Sequence, residues 1–188
     1  MNSAKSILEN ESFRSITFSN ISKKTNLSRP SIYKYYKFPE EILANILSIE
    51  FQNLNKEIIK KNPKNIRELS SLLVKKIKDK KLMLKLLSLN FSIIEDNIRK
   101  DNFIKLKEQI FKFIDILKRM IKNINSKIEE EKIFKIQYSI LTVLSSIYPI
   151  THDDSKHLDL IKTVNPNFNK PDYKELLEYN IFNILKEV

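Results

Sequence analysis

Not one of the 188 residues is glycine. Tight hairpins need residues with positive backbone angles, and phosphate-cradling loops need a backbone without a Cβ. A chain that lacks glycine is therefore a poor candidate for a hairpin-rich sheet, a dinucleotide-binding fold or a P-loop. The remaining route to a packed core is helical, with asparagine left to fill any left-handed turn position. The apolar pattern agrees. Ile133, Ile136, Tyr138, Ile140, Leu141, Leu144, Ile147 and Tyr148 recur at helical spacing. So do Phe103, Leu106, Ile110, Phe113, Ile114, Leu117, Ile121 and Ile124. The expected fold class is all-α.

Cap residues and prolines divide the chain. Thr17 is suited to cap a short helix over 18–25. Ser28 is suited to cap the next, with Pro30 in its first turn, where no N–H is needed. Pro39, followed by Glu40 and Glu41, opens a third helix with acids at its positive dipole end. Asn62-Pro63 precedes a helix over 64–80, and Asp101 precedes the Phe103 stripe. Ser126 with Glu129 fits a capping box for a helix over 127–148. Pro149, Pro166 and Pro171 bracket a polar stretch, read as an exposed loop, that holds both histidines. A final amphipathic helix spans 172–188, with Tyr173, Leu176, Leu177, Ile181, Leu185 and Val188 on its apolar face. Very short helices come first and longer ones follow. That asymmetry predicts a three-helix head over 1–47 and a helical-bundle body over 48–188.

Hydrophobic residues make up 41% of the chain, enough for a packed core, and the net charge is +11. Such a charge suits a polyanion, either nucleic acid or an acidic membrane surface. The heavy use of Ile, Lys and Asn throughout is an equally good source of it, so local placement carries more weight. Residues 1–38 hold seven basic residues (Lys5, Arg14, Lys23, Lys24, Arg29, Lys34, Lys37) against Glu9 and Glu11, a net +5 in a small head. There is no cysteine, hence no disulfide or thiolate chemistry. The first residues do not read as a signal peptide, and lysines, asparagines and acids interrupt the apolar runs. The expected location is cytoplasmic, with no membrane association.

The informative stretch is ITFSNISKKTNLSRPSIYKYYK at 16–37. Two short helices joined by Thr25-Asn26-Leu27-Ser28 have the length and turn size of a DNA-reading helix-turn-helix. Phe18, Ile21, Leu27, Ile32 and Tyr36 stand where a three-helix core needs apolar groups, with Ile7, Leu8 and Phe13 to complete it. Asn26 takes the turn position. Arg29, Ser31, Tyr33 and Lys34 crowd the start and outer face of the second helix, the end that enters a major groove. Arginine can pair bidentately with guanine there, and Ser and Tyr can meet base edges and thymine methyls. Tyr35 and Lys37 are placed to reach phosphates.

These residues resemble the N-terminal domain of the TetR family over roughly 4–47. Thr17 stands at the family's capping Thr, Leu27-Ser28 at its Val-Ser, and Ser31-Ile32-Tyr33 at its Thr-Leu-Tyr. Tyr35-Tyr36-Lys37 stands at its His/Tyr-Phe-Lys, and Glu40-Glu41-Ile42 at its Glu-Glu-Leu. The resemblance implies base and groove contacts by Ser19, Arg29, Pro30, Ser31, Tyr33 and Lys34. It implies phosphate contacts by Thr17, Tyr35 and Lys37, with Ser28 at the helix cap completing the DNA-binding set. Tyr36 falls at the family's core Phe, which leaves its hydroxyl incidental. The family's first helix usually begins about two turns earlier, and Phe38 and Pro39 replace a small cap residue and a lysine that often touches phosphate.

The same resemblance implies a regulator, most often a repressor, that binds a palindromic operator in double-stranded DNA as a homodimer. The dimer would form through the helices at 127–148 and 172–188, in keeping with closed two-fold symmetry; intramolecular core is the alternative use of those stripes. It further implies release by a small apolar effector held in the body, with no other cofactor. Phe91, Phe103, Phe111, Phe113, Phe134 and Tyr138 are candidates to line its pocket, against plain core packing. Asn90, Asp96 and Gln137 are expected to face solvent, with ligand orientation as the alternative. His152, His157, Asp153 and Asp154 invite a metal, but a five-residue spacing does not put two histidines on one helix face, and none is expected. No catalytic constellation stands out, so the chain is not expected to be an enzyme. A basic helical module for membrane surfaces is the third class considered, and it leaves the turn pattern unexplained.

Overall fold

A computed structural model describes residues 2–11, 13–25, 27–152 and 155–188. Asn26, expected at the left-handed turn, and Asp153 and Asp154 of the metal constellation lie outside the described residues. The described chain is helical throughout and has no strand. The helices are α1 (Asn2–Asn10), α2 (Phe18–Lys23), α3 (Arg29–Tyr33), α4 (Pro39–Ile58), α5 (Ile66–Ile77), α6 (Lys81–Leu89), α7 (Lys100–Ile124), α8 (Glu130–Thr151), α9 (Ser155–Val164) and α10 (Tyr173–Leu185). A 3₁₀ turn at Phe13–Ser15 follows α1, and a π-turn at Asn90–Ile94 followed by a 3₁₀ turn at Glu95–Asn97 joins α6 to α7.

Local chemistry sets most boundaries. The Thr17 hydroxyl accepts from the Asn20 amide at 3.1 Å, and the Ser28 hydroxyl accepts from the Ser31 amide at 3.3 Å. At α5, Asn65 accepts from the Glu68 amide at 3.0 Å while Glu68 accepts from the Lys64 amide at 2.8 Å. The Asp172 carboxylate accepts from the Lys174 and Glu175 amides at the start of α10. Each such cap stabilises its helix by about 1 kcal/mol.

Two readings of the punctuation are corrected. The Ser126–Glu129 capping box does not form: α8 begins at Glu130, and its N-cap Glu129 makes no side-chain cap bond. Asn125 organises the turn instead. It accepts from the Lys127 amide at 3.1 Å and donates its own amide to the Val188 carbonyl at 2.8 Å, while Ile128 turns into the core. The polar stretch after Pro149 is not one continuous loop, since part of it is helical. Pro149 lies within α8, close enough to its end that only the last turn loses a hydrogen bond. The Thr151 hydroxyl closes that turn on the Ile147 carbonyl at 2.6 Å. The stretch then refolds as α9, which carries His157 and exposes Leu160 and Val164.

One continuous apolar core runs from Ala4 to Leu185 and joins head and body. Phe51 of α4 and Phe113 of α7, both fully buried, meet edge to face with ring centroids 5.8 Å apart. α4 runs straight through the expected boundary at residue 47, with Leu43, Ala44, Ile46, Leu47 and Phe51 all buried. It lies parallel to α7, and a line of polar bonds fixes the register. Arg99 reaches Glu41, Ser48 reaches the Lys105 carbonyl at 3.4 Å, Asn55 reaches the Gln109 carbonyl at 2.9 Å, and Arg119 reaches the Ile59 carbonyl at 2.7 Å. Every pair joins residues more than fifty apart in sequence, so the two helices advance together.

α6 packs on α8, and α10 packs on both α5 and α8. By length and composition α8 could cross a membrane, because Ile136 to Thr151 carries no charge, contrary to the expected interruptions. In the fold it is a core helix, with Ile133, Ile136, Ile140, Leu144 and Ile147 buried.

Candidate DNA interface

α2 and α3 are one and a half turns each, too short to persist alone. Their orientation comes from a small core of Ala4, Ile7, Leu8, Ile16, Phe18, Ile21 and Ile32, continued by Ile42 and Leu43 of α4. Phe13 and Tyr36 pack against it, half-buried. Leu27 departs from expectation: it is 55% exposed. It stands outside α3, just before the Ser28 cap, and the Thr25 hydroxyl accepts from its amide at 3.3 Å while donating to the Ile21 carbonyl. Ile16 and Ile42 supply the apolar volume instead. Salt bridges from Lys5 to Glu50 at 2.6 Å and from Lys24 to Glu11 at 2.9 Å tie α1 to its neighbours.

The remaining candidate residues share the outer surface. Thr17, Ser28, Arg29, Pro30, Tyr33, Lys34, Tyr35 and Lys37 are exposed, and Ser19 and Ser31 are half-buried. Three contacts order this face. The Arg29 guanidinium donates to the Ser19 hydroxyl at 2.5 Å, bridging α3 to α2. The hydroxyls of Ser28 and Ser31 lie 2.9 Å apart. The Tyr33 ring, 60% exposed, stands edge-on to buried Phe18 at 4.7 Å. Arg29 and Tyr33 are thus held in place on α3 although neither is buried, an arrangement that reduces the ordering cost of a contact.

Lys34, Tyr35 and Lys37 follow the last residue of α3 on backbone with no helix of its own. Arg99, the N-cap residue of α7, organises it. Its Nε donates to Glu41 Oε1 at 2.6 Å, and its Nη2 donates to Glu41 Oε2 at 3.0 Å and to the Tyr35 carbonyl at 2.9 Å. Glu41, with no exposed surface, also accepts from the Lys37 amide at 2.7 Å and the Arg99 amide at 3.2 Å. The Tyr36 hydroxyl is not incidental, since it accepts from Asn45 Nδ2 at 3.2 Å. On the other flank, the partly buried Lys85 ammonium donates to the Leu8 and Glu11 carbonyls at the end of α1. Burial lowers the Lys85 pKa. Sequence reading missed Arg99 and Lys85, and took Glu41 only as a dipole-matched acid. The one available signal was an acid next to Ile42, Leu43 and Ala44, on a helix that buries most of its first two turns.

Burial pushes the Glu41 carboxyl upward. The Arg99 guanidinium and the two backbone amides outweigh it and bring the pKa down to about 2. A depressed carboxyl stabilises the fold above its ordinary value, and that contribution disappears as pH falls from about 4.5 toward 2. The unfolding free energy from urea titrations down this range should therefore fall more for the native chain than for Glu41→Gln, by on the order of 2 kcal/mol. Parallel curves would mean that Glu41 is not charged in the folded protein.

In the body, a cavity of about 390 Å³ is lined by Phe91, Lys107, Ile110, Phe111, Ile114, Tyr138, Leu141, Thr142, Ser145 and Ser146. Of the six expected aromatic residues, Phe91, Phe111 and Tyr138 reach it. Phe113 is core, and Phe134 lies at the surface with its ring 4.4 Å from Tyr138. Phe103 lies partly exposed at the surface and packs with Phe91 against the Lys107 ammonium, which pairs with Glu95 at 2.8 Å. Asp96 is exposed as expected, but Asn90 and Gln137 are buried. Gln137 ties α8 to the Ile114 carbonyl at 2.7 Å beside the cavity, and Asn90 donates to Glu95. His152 stacks on Tyr148 at 4.3 Å and is edge-on to Tyr173 at 5.4 Å, whereas His157 is exposed on α9. Among the described residues no three metal-ligating side chains converge.

The family of tetracyclin repressor-like C-terminal domains matches residues 47–186, which is most of the chain and nearly all of the body. No curated protein matches the chain closely enough to count as a relative. A matched body of this kind, joined through α4 to a head with the exposed face described above, identifies the chain as a member of the TetR family of DNA-binding transcriptional regulators.

Proposed function

We propose that the chain is a repressor that binds a palindromic operator as a homodimer and leaves it when a small apolar effector enters the body. The observation that carries this reading is the face formed by Arg29, Pro30, Ser31, Tyr33 and Lys34. Arg29, Pro30 and Tyr33 are exposed on a capped helix, with Ser31 half-buried beside them and Lys34 at its C-cap, and Phe18 and Ser19 hold Tyr33 and Arg29 in place. Arg29 is suited to pair with guanine, and Ser31 and Tyr33 to meet neighbouring base edges. Ser19 joins that face as a groove contact, Thr17, Tyr35 and Lys37 serve as phosphate contacts, and Ser28 completes the DNA-binding set at the helix cap. The division of labour is a DNA-binding head over 1–47 and a sensing and dimerising body over 48–188. The protein works in the cytoplasm by binding alone, without catalysis, cofactor or membrane.

The dimer is proposed to form through α8 and α10. Both have a buried side within the subunit and apolar groups left outside, Phe134 and Tyr138 on one and Tyr179 on the other. The cavity supports the effector reading. Its walls are mostly apolar, and its few polar groups include the Lys107 ammonium and the hydroxyls of Thr142, Ser145 and Ser146. The test is a fluorescence-anisotropy titration against duplex from just upstream of the chain's own coding region, with scrambled competitor and varied salt. Competitor-resistant binding with two subunits per site is expected. Binding that competitor abolishes at every salt concentration, across a genomic fragment library as well, would reject the operator reading.

A further inference from the structure

Glu41 is a fully buried carboxylate, and a charge in that position persists only if it is paired and hydrogen-bonded. Its partners are notable for where they come from. One is the amide of Lys37, at the end of the reading segment, and the rest belong to Arg99, which opens α7. Arg99 also holds the Tyr35 carbonyl directly. The backbone of Tyr35 and Lys37 is thus gripped at one carbonyl and one amide by a pair that spans head and body. α3 has ended by then: the Tyr35 amide still reaches the Ile32 carbonyl at 3.0 Å, but the Tyr35 carbonyl and the Lys37 amide are held by Arg99 and Glu41.

We propose that Arg99 is a positioning residue for DNA binding: from the body it sets, through Glu41, the backbone that aims Tyr35 and Lys37 at phosphates. The proposal rests on the phosphate-contact assignment made above. An ion pair serving stability alone would shift melting and leave the number of phosphates neutralised unchanged. A positioning pair changes that number, which the salt dependence of binding reads directly.

The experiment compares the full-length native chain with Arg99→Ala, Arg99→Lys, Lys37→Ala and the Arg99→Lys/Lys37→Ala double variant. The probe is a mixed-sequence duplex titrated over a range of salt. Lysine keeps the charge but lacks the planar fork that pairs with both Glu41 oxygens while reaching the Tyr35 carbonyl, so Arg99→Lys serves if the alanine variant does not fold. Arg99→Lys is expected to make log K against log salt shallower by about one per bound subunit, as Lys37→Ala does. The double variant should lose little more than either single one, because both act on the same contact. Solvent exchange of the Lys37 amide, followed by NMR without DNA, should quicken by about tenfold or more in Arg99→Lys as its acceptor loosens.

An unchanged slope, additive losses, or an unchanged Lys37 amide would each overturn the proposal. A slope that Lys37→Ala leaves intact would locate the fault in the phosphate-contact assignment itself. The proposal would fall with it, even if the amide exchange had changed.

Discussion

Replacing Arg29 and Lys34 together by alanine is expected to weaken operator binding by about two to three orders of magnitude. A bidentate arginine–guanine pair discriminates by roughly 1–3 kcal/mol, and removing a lysine from the groove entrance further weakens attraction to phosphate. Both side chains are exposed, and the residue that anchors α3 in the core, Ile32, is untouched. The fold should therefore persist, with thermal unfolding shifted by no more than a few degrees. Anisotropy titrations at one fixed salt concentration provide the comparison. Affinity within threefold of the native chain would show that another surface reads the DNA. The Arg29–Ser19 bond adds a refinement: Ser19→Ala should cost less than either basic residue, because it frees the guanidinium without removing it.

Phe51→Ala is expected to be the most destabilising simple substitution, at about 4 kcal/mol. The ring is fully buried, stands edge-on to Phe113, and fills the seam where α4 and α7 lie side by side. Truncation leaves a cavity that the neighbouring helices cannot close, because the polar bonds on either side at Ser48 and Asn55 fix their spacing. In a chain of this size the melting temperature should fall by roughly 10 °C. Phe51→Leu should lose well under half of that. A drop of only a degree or two for the alanine variant would mean that the seam is loosely packed.

What the sequence made legible was short-range. Thr17 and Ser28 act on amides three residues away, so residue type and spacing suffice to place the helix starts they control. The exposed face of α3 was readable for the same reason. What stayed hidden depends on partners far along the chain. Asn90 and Gln137 look like solvent-facing polar residues until Glu95 and the Ile114 carbonyl are brought beside them. Glu41 and Arg99 are 58 residues apart, and neither stands out locally. Leu27 fits an apolar pattern, but the Thr25 turn holds it outside the core. α9 was missed because the prolines and polar residues around it read as a loop, although Leu158, Ile161 and Val164 recur at helical spacing, and Leu160 and Val164 are left in solvent. The cavity needed three dimensions, since only half of the expected aromatic residues line it.

The parallel course of α4 and α7 bears on how the chain matures during synthesis. Parallel neighbours cannot be joined by a short turn, so the whole of α5 and α6 must be made before α7 can dock. When the ribosome has released only the head and α4, Glu41 has no guanidinium and Phe51 has no opposing ring. The carbonyls at the end of α1 still wait for Lys85. Segments at the start of a chain commonly fold first as they emerge. Here the first segment made cannot be completed by itself, because its closures wait for residues 85 and 99. A nascent or truncated chain that stops short of residue 99 carries every exposed side chain of the proposed DNA face and lacks the guanidinium that holds Glu41 and the Tyr35 carbonyl.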